Sequence, residues 1–187
     1  MMKEFLISKK GIFCINLALL LLFAFSGCMK YEVSDDFIME MIVSGAYTGS
    51  PSPFIMFMHP IIGIVLSILY TFIATINWYF IFQITVIFTS LCILSYTFLK
   101  YKKDNLSILL FMIFLLFLSN DLYLLVQFTK TASLSLCAGC ILMLSNILDR
   151  NTMNKKEIAL GILLFCVGYM IRNKCIYIAV SYTHLIL

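Results

Sequence analysis

Long apolar runs separated by short polar breaks organise this chain. The first run covers residues 12–25 and is preceded by Lys3, Lys9 and Lys10. It reaches the roughly 20 residues a bilayer requires once Gly11 and residues 26–29 are included. A polar stretch follows at residues 30–53, where Glu32, Asp35, Asp36 and Glu40 face a single base, Lys30. Gly45, Gly49, Pro51 and Pro53 at its end preclude a continuous helix. Residues 54–99 carry no formal charge unless His59 takes one, and they read as two helices broken near Thr75-Ile76-Asn77-Trp78. A basic loop with Lys100, Lys102 and Lys103 comes next. Further apolar runs occupy residues 106–118, 131–148 and 158–171. They are separated by Ser119-Asn120-Asp121 and by residues 149–157, and the last is cut by Arg172, Asn173 and Lys174.

Charge placement decides how these runs cross a membrane. If both helices within 54–99 crossed, Lys100, Lys102 and Lys103 would lie outside, against the positive-inside bias. If only the second crosses, Lys3, Lys9, Lys10, Lys100, Lys102, Lys103, Arg150, Lys155 and Lys156 share the cytoplasmic side, and Lys30, Lys130, Arg172 and Lys174 stay outside. The pattern therefore predicts an all-α, polytopic transmembrane helical bundle with its N-terminus inside. Its first loop is extracytoplasmic and contains short interfacial helices, the helix from His59-Pro60 lying at the outer interface or re-entering the bilayer. Trp78 and Tyr79 suit the outer boundary.

Composition agrees with this picture. The 187 residues are 63% hydrophobic and 12% charged, with a mean hydropathy of +1.04, about half the charge a soluble domain carries. The net charge of +4 is spread too thinly for a nucleic-acid partner. Of seven cysteines, Cys14, Cys92, Cys137, Cys140 and Cys166 fall inside apolar runs. They read as small buried hydrophobes, not as a disulfide framework. The implied partner is the lipid bilayer, and the heavy use of Ile, Leu, Phe, Lys and Asn suggests an AT-rich bacterial genome and hence a bacterial cytoplasmic membrane.

The candidate chemistry lies in the acidic loop. Ser34-Asp35-Asp36 opens a short predicted helix running to Ser44, with Ser34 placed to cap it and the two acids favoured by its dipole. Two carboxylates stand just after the first span, followed by Met41-Ile-Val-Ser-Gly45, Tyr47-Thr-Gly-Ser-Pro51 and the helix from His59-Pro60 through Tyr70. This order resembles the GT-C superfamily of membrane glycosyltransferases, which includes the protein O-mannosyltransferases and the lipid A aminoarabinose transferases. Over roughly residues 12–178 the resemblance implies sugar transfer on the extracytoplasmic face, from a polyprenyl-phosphate-sugar donor to an envelope glycan, lipid or protein acceptor. A departure is Met58-His59-Pro60, where the family often has Lys before a double Pro.

In that reading Asp35 is the base that takes a proton from the acceptor hydroxyl, and Asp36 is its partner or a contact to acceptor or divalent metal. No metal ligand set is otherwise assigned. His59, Lys130 and Arg172 are the candidates for the donor phosphate, which gains charge as the bond breaks. Each also has a simpler role as an interfacial or snorkelling side chain. Rival functions are a polysaccharide polymerase or ligase, or a non-catalytic membrane assembly or transport protein.

Three further signals bear on the reading. Phe25-Ser-Gly-Cys28 resembles a lipobox, which would make the first run a cleaved leader and leave Cys28 lipidated. Cys137-Ala-Gly-Cys140 has redox-pair spacing, yet its mid-span position with Ser133, Ser135, Ala138 and Gly139 favours close helix packing. Residues 180–187 resemble a translated sequencing adaptor, so residues 1–179 are expected to be the N-terminal transmembrane part of a longer enzyme.

Overall fold

The computed structural model describes residues 4, 7–148 and 154–177. The expectations for Lys3, Arg150 and the 180–187 tail lie outside these residues. Seven α-helices account for most of the described chain: α1 (Lys9–Phe25), α2 (Ser34–Ser44), α3 (Pro60–Phe72), α4 (Trp78–Tyr101), α5 (Asn105–Leu124), α6 (Phe128–Leu148) and α7 (Lys155–Ile171). A 3-10 turn, Asn173–Cys175, follows α7. Helices α4, α5 and α6, of 24, 20 and 21 residues, are long and apolar enough to cross a membrane. At 1.5 Å per residue each spans about 30 Å or more, the thickness of a hydrocarbon core. Helices α1 and α7 have 17 residues each and α3 has 13.

Polar residues at the breaks start these helices. Ser8, His59, Asn77, Asp104 and Asn154 cap α1, α3, α4, α5 and α7, each accepting an amide of the first turn. Helix α2 begins where expected, but with a different cap. Ser34 is its first residue and is exposed, and the N-cap is Val33 without a side-chain bond. Gly45 ends α2 at φ 84°, a left-handed geometry that favours glycine.

The five longer helices alternate in direction. At one end Lys9 lies over the Tyr96 ring, Lys100 pairs with Glu157, and the Tyr101 hydroxyl donates to the Ser145 carbonyl. At the other end the Phe23 and Tyr123 rings meet, and Tyr31 packs on Tyr79 and Phe80. We call these the lysine-rich and the acidic end.

Two apolar cores fill the molecule. One joins α2, α3, the start of α4, α6 and α7 through Met39, Val43, Leu66, Tyr79, Leu136 and Ile171. The other joins α1, α4 and α5 through Ile12, Ile87, Leu91, Leu115 and Tyr123. The α6–α7 contact is the tightest. A Cβ on Gly139 would meet the Gly161 carbonyl oxygen at 2.6 Å, and one on Gly168 would meet the Ala132 oxygen at 2.8 Å. Ser135 donates to the Leu164 carbonyl across the same seam. This is the small-residue packing expected of the span around Cys137 and Cys140, whose thiols are free. Burial of the cysteines in apolar runs is not general, however. Cys14 and Cys166 are exposed and Cys92, Cys137 and Cys140 half-buried, while the buried thiol is Cys175, beyond α7.

A two-residue parallel ladder, β1 (Lys30–Tyr31) with β2 (Leu125–Val126), ties the acidic loop to the α5–α6 junction. The apolar pattern does not announce it. Helix α5 runs past Ser119-Asn120-Asp121 to Leu124 and α6 starts at Phe128, which puts Lys130 inside a helix.

Candidate functional site

Helix α2 turns Asp36, Met39 and Val43 inward as one helical face, and all three are buried. Asp36 is 0% exposed. Its Oδ1 accepts from the Tyr79 hydroxyl at 2.8 Å and from Gln83 Nε2 at 2.7 Å. The Phe128 amide donates to both oxygens, at 3.2 and 3.3 Å. Phe128 opens α6, so its amide is one of the first-turn donors a helix leaves unsatisfied, and a carboxylate is the acceptor its dipole favours. Gln83 in turn accepts from the Thr131 hydroxyl at 3.0 Å. One carboxylate thus joins α2, α4 and α6. Burial raises its pKa, the bonds from Tyr79, Gln83 and Phe128 act the other way, and nearby Asp35 adds to the rise.

Asp35 lies one position round the helix and is half-buried. Among the described residues its side chain has no hydrogen bond or ion pair, and its named electrostatic neighbour is Asp36. With Asp36 taken up by neutral donors and Asp35 a single ligand, the pair does not fit a divalent cation. Among the described residues no three of His, Cys, Asp and Glu converge to hold a metal.

A tyrosine cluster supports α2 from the outside. Asn77 donates to the Tyr31 hydroxyl at 3.1 Å and accepts from Tyr70 at 3.2 Å, and the Tyr70 hydroxyl accepts the Tyr79 amide. Burial and the Glu40 charge hold the Tyr31 hydroxyl far above its ordinary pKa, so it stays neutral.

Arg172, just after α7, lies over the Phe128 ring at 4.9 Å and near that of Phe57 at 5.8 Å, and it donates to the Thr129 hydroxyl. Phe57 stacks on Phe128 at 5.8 Å and has φ 66°, an uncommon geometry for a side chain of this size. His59 donates its amide to the Met170 carbonyl at 2.7 Å, which pins the start of α3 to the end of α7. Its Nδ1 accepts from the Ile61 amide, so a neutral ring carries its proton on Nε2 and offers that to solvent. His59 and Arg172 both lie at the acidic end, beside the end of α7, and Arg172 is linked to Asp36 through Phe128.

Lys130 points elsewhere. Phe128 and Thr129 face α7, and the next position on α6 turns toward β1 and α5. There Lys130 bonds Glu32 at 2.8 Å and Asp121 at 2.9 Å. Beside Asp121 a cleft of about 520 Å3 opens between the α1–β1 turn and the end of α5, lined by Cys28, Lys30 and Asn120 among others. Cys28 is exposed at its rim. Helix α1 is fastened into the bundle by Asn16, which donates to Ser95, and by buried Ile12 and Phe23.

Sequence reasoning singled out Asp35, Asp36, His59, Lys130 and Arg172 but missed the partners that define them. Tyr79 and Gln83 had a legible signal, being polar groups four apart on an apolar helix. Phe128 acts through its backbone, and Asp121, Glu32 and Phe57 reach the site only through tertiary packing. No family model, curated protein or solved structure matches the chain.

Proposed function

We propose that this chain is the transmembrane part of a GT-C-like glycosyltransferase. It would move a sugar from a polyprenyl-phosphate donor to an envelope acceptor at the outer face of a bacterial cytoplasmic membrane. The orientation rests on charge. Lys9, Lys10, Lys100, Lys102, Lys103, Lys155 and Lys156 belong to the lysine-rich end, and Lys30, Lys130, Arg172 and Lys174 to the acidic end. The positive-inside bias then puts the N-terminus and the lysine-rich end in the cytoplasm, with α1, α4, α5, α6 and α7 crossing and α2 and α3 in the outer loop.

The observation that carries the reading is the division of labour in the acidic pair. Asp36 is spent on structure, and that anchors Asp35, a half-buried carboxylate without a side-chain bond among the described residues, at the end that carries Arg172 and His59. In this reading Asp35 takes the proton from the acceptor hydroxyl as its oxygen attacks the anomeric carbon. Asp36 is a positioning residue. Arg172 and the Nε2 proton of His59 face the leaving phosphate, while Lys130 holds the loop through Glu32 and Asp121.

The test is transfer from a radiolabelled polyprenyl-phosphate sugar in membranes containing the full chain. Asp35→Asn is expected to lower the rate by roughly 100-fold or more, as loss of a general base does, at unchanged thermal stability. Undiminished transfer removes Asp35 as the base. A non-catalytic assembly role is the second reading, favoured by the structural employment of Asp36 and Lys130. It predicts no transfer at all, and survival of function in Asp35→Asn.

A further inference from the structure

The lysine-rich end carries a groove that the proposed chemistry does not use. Between the inner parts of α4, α5 and α6 lies a cavity of about 680 Å3, walled by Leu94, Phe98, Phe114, Ile141 and Leu144 with Lys102 at its mouth. This volume is in the range of small-molecule sites, roughly 300–1,000 Å3. Its walls are tied to one another. The Phe98 and Phe111 rings stack at 4.3 Å between α4 and α5, and Tyr101 bonds the Ser145 carbonyl on α6 at 2.8 Å, which fixes the spacing of the three helices around the groove. The flank of α5 beside it is apolar and exposed at Leu109, Leu110, Ile113, Phe114 and Phe117, as a lipid-facing surface would be.

Charge at the mouth selects the occupant. Lys100 is engaged with Glu157 and the Tyr101 ring. Lys102 and Lys103 are exposed, and the one acid on their loop, Asp104, caps α5 through the Ser107 amide and lies within the field of Lys102, which leaves the loop with a net positive charge. An apolar slot open to the hydrocarbon, with two cations where headgroups lie, matches an anionic lipid. We propose that the groove holds an acyl chain of an anionic phospholipid from the adjoining leaflet, with its phosphate between Lys102 and Lys103. This does not depend on the glycosyltransferase reading.

The experiment is native mass spectrometry of the full chain released from mixed micelles of phosphatidylglycerol and phosphatidylcholine of equal chain length. The wild-type chain is expected to retain one phosphatidylglycerol with a preference of order tenfold over phosphatidylcholine. Lys102→Gln with Lys103→Gln abolishes that preference, and Lys155→Gln with Lys156→Gln, at the same end but away from the groove, keeps it. Leu144→Trp, which fills the slot and spares both lysines, loses the adduct. Equal retention of the two lipids by the wild type overturns the proposal. So does equal loss in both lysine pairs, which would mark a general basic surface, or full retention in folded Leu144→Trp. The exposed lysine pair keeps the test decisive if Leu144→Trp does not fold.

Discussion

Two carboxylates organise the two ends of this molecule, and they are satisfied in different ways. Asp36 at the acidic end is fully buried and is held by a hydroxyl, an amide side chain and the opening N–H of α6, with no cation against it among the described residues. Glu157 at the lysine-rich end accepts from Tyr96 at 2.8 Å, Asn154 at 3.1 Å and Asn146 at 3.0 Å, and has Lys100 at 3.8 Å. Its side chain is 14% exposed. The first network trades solvation for fixed donors and depends on every one of them. The second remains near water, where a neighbour's loss is partly made good by solvent. A group held as Asp36 is gives a rigid reference point, and the half-buried acid next to it inherits that rigidity. In the proposed function this is the reason for assigning the chemistry to Asp35 and the architecture to Asp36.

The sharpest way to break this comparison is to remove each carboxylate. Asp36→Ala leaves the Tyr79 hydroxyl, the Gln83 amide and the Phe128 N–H without their acceptor in the interior. At about 1–3 kcal/mol for an unsatisfied buried group, the loss is expected to reach about 3 kcal/mol or more. Glu157→Ala should cost about 1 kcal/mol, because Asn154 and Lys100 reach water and buried Asn146 keeps its bond to the Leu142 carbonyl. Thermal unfolding in detergent micelles, followed by circular dichroism, compares the two. Equal shifts would mean that Asp36 is no more a structural node than Glu157.

A smaller change tests whether the donors act as one network. Tyr79→Phe deletes the hydroxyl that bonds Asp36 and leaves the ring packed, and should cost about 1 kcal/mol. Gln83→Leu removes the bond to Asp36 and one of the two acceptors of Thr131, which keeps the Gln127 carbonyl, and should cost about 1–2 kcal/mol. In the double variant the costs are expected to depart from additivity, since both substitutions touch one carboxylate. Strict additivity would argue against a shared node.

Protonation probes the same point. Burial raises the Asp36 pKa above the ordinary carboxylate value of about 3.9. Between the unfolded and folded values the folded chain holds the extra proton, so this group's contribution to stability falls as pH rises through that window. Asp36→Asn lacks the titration. The wild type is expected to lose stability relative to Asp36→Asn as pH is raised from about 4, with the other carboxylates cancelling in the difference. Parallel pH profiles would show that Asp36 titrates alike in both states.

How much of this was open to sequence reading depends on the length scale. The apolar runs are long, so the helix from His59-Pro60 could be placed and the break before Trp78 fell where it was expected, while the caps Asn77 and Asp104 emerged only with the structure. Asp36 was visible as an acid in the right loop, but its burial follows from meeting α6 92 positions later. A backbone donor such as Phe128 N–H has no residue type to betray it. Lys130 read as a snorkelling or phosphate-facing cation because its partners, Glu32 and Asp121, come together only through the β1–β2 ladder. Ser34 read as a cap because serine usually is one, and here the chain enters α2 from Val33 in extended geometry, which leaves Ser34 as the first helical residue.

The smallest expected effect separates the two hubs by salt. Lys100 and Glu157 are 3.8 Å apart with side chains 26% and 14% exposed, so their attraction is screened by ions, with a Debye length of about 10 Å at 0.1 M. Such pairs contribute about 0.2–1 kcal/mol. Raising salt should therefore erase the stability difference between the wild type and Lys100→Gln, while the loss in Tyr79→Phe, which involves no cation, stays constant. The logic also runs in reverse. If the Tyr79→Phe loss shrank with salt, a charge would have to be reaching Asp36, and Arg172, linked to it through Phe128, would be the first to substitute. In that case the acidic end would hold its carboxylate by long-range charge as well as by fixed donors, and Asp35 would sit in a field set by Arg172.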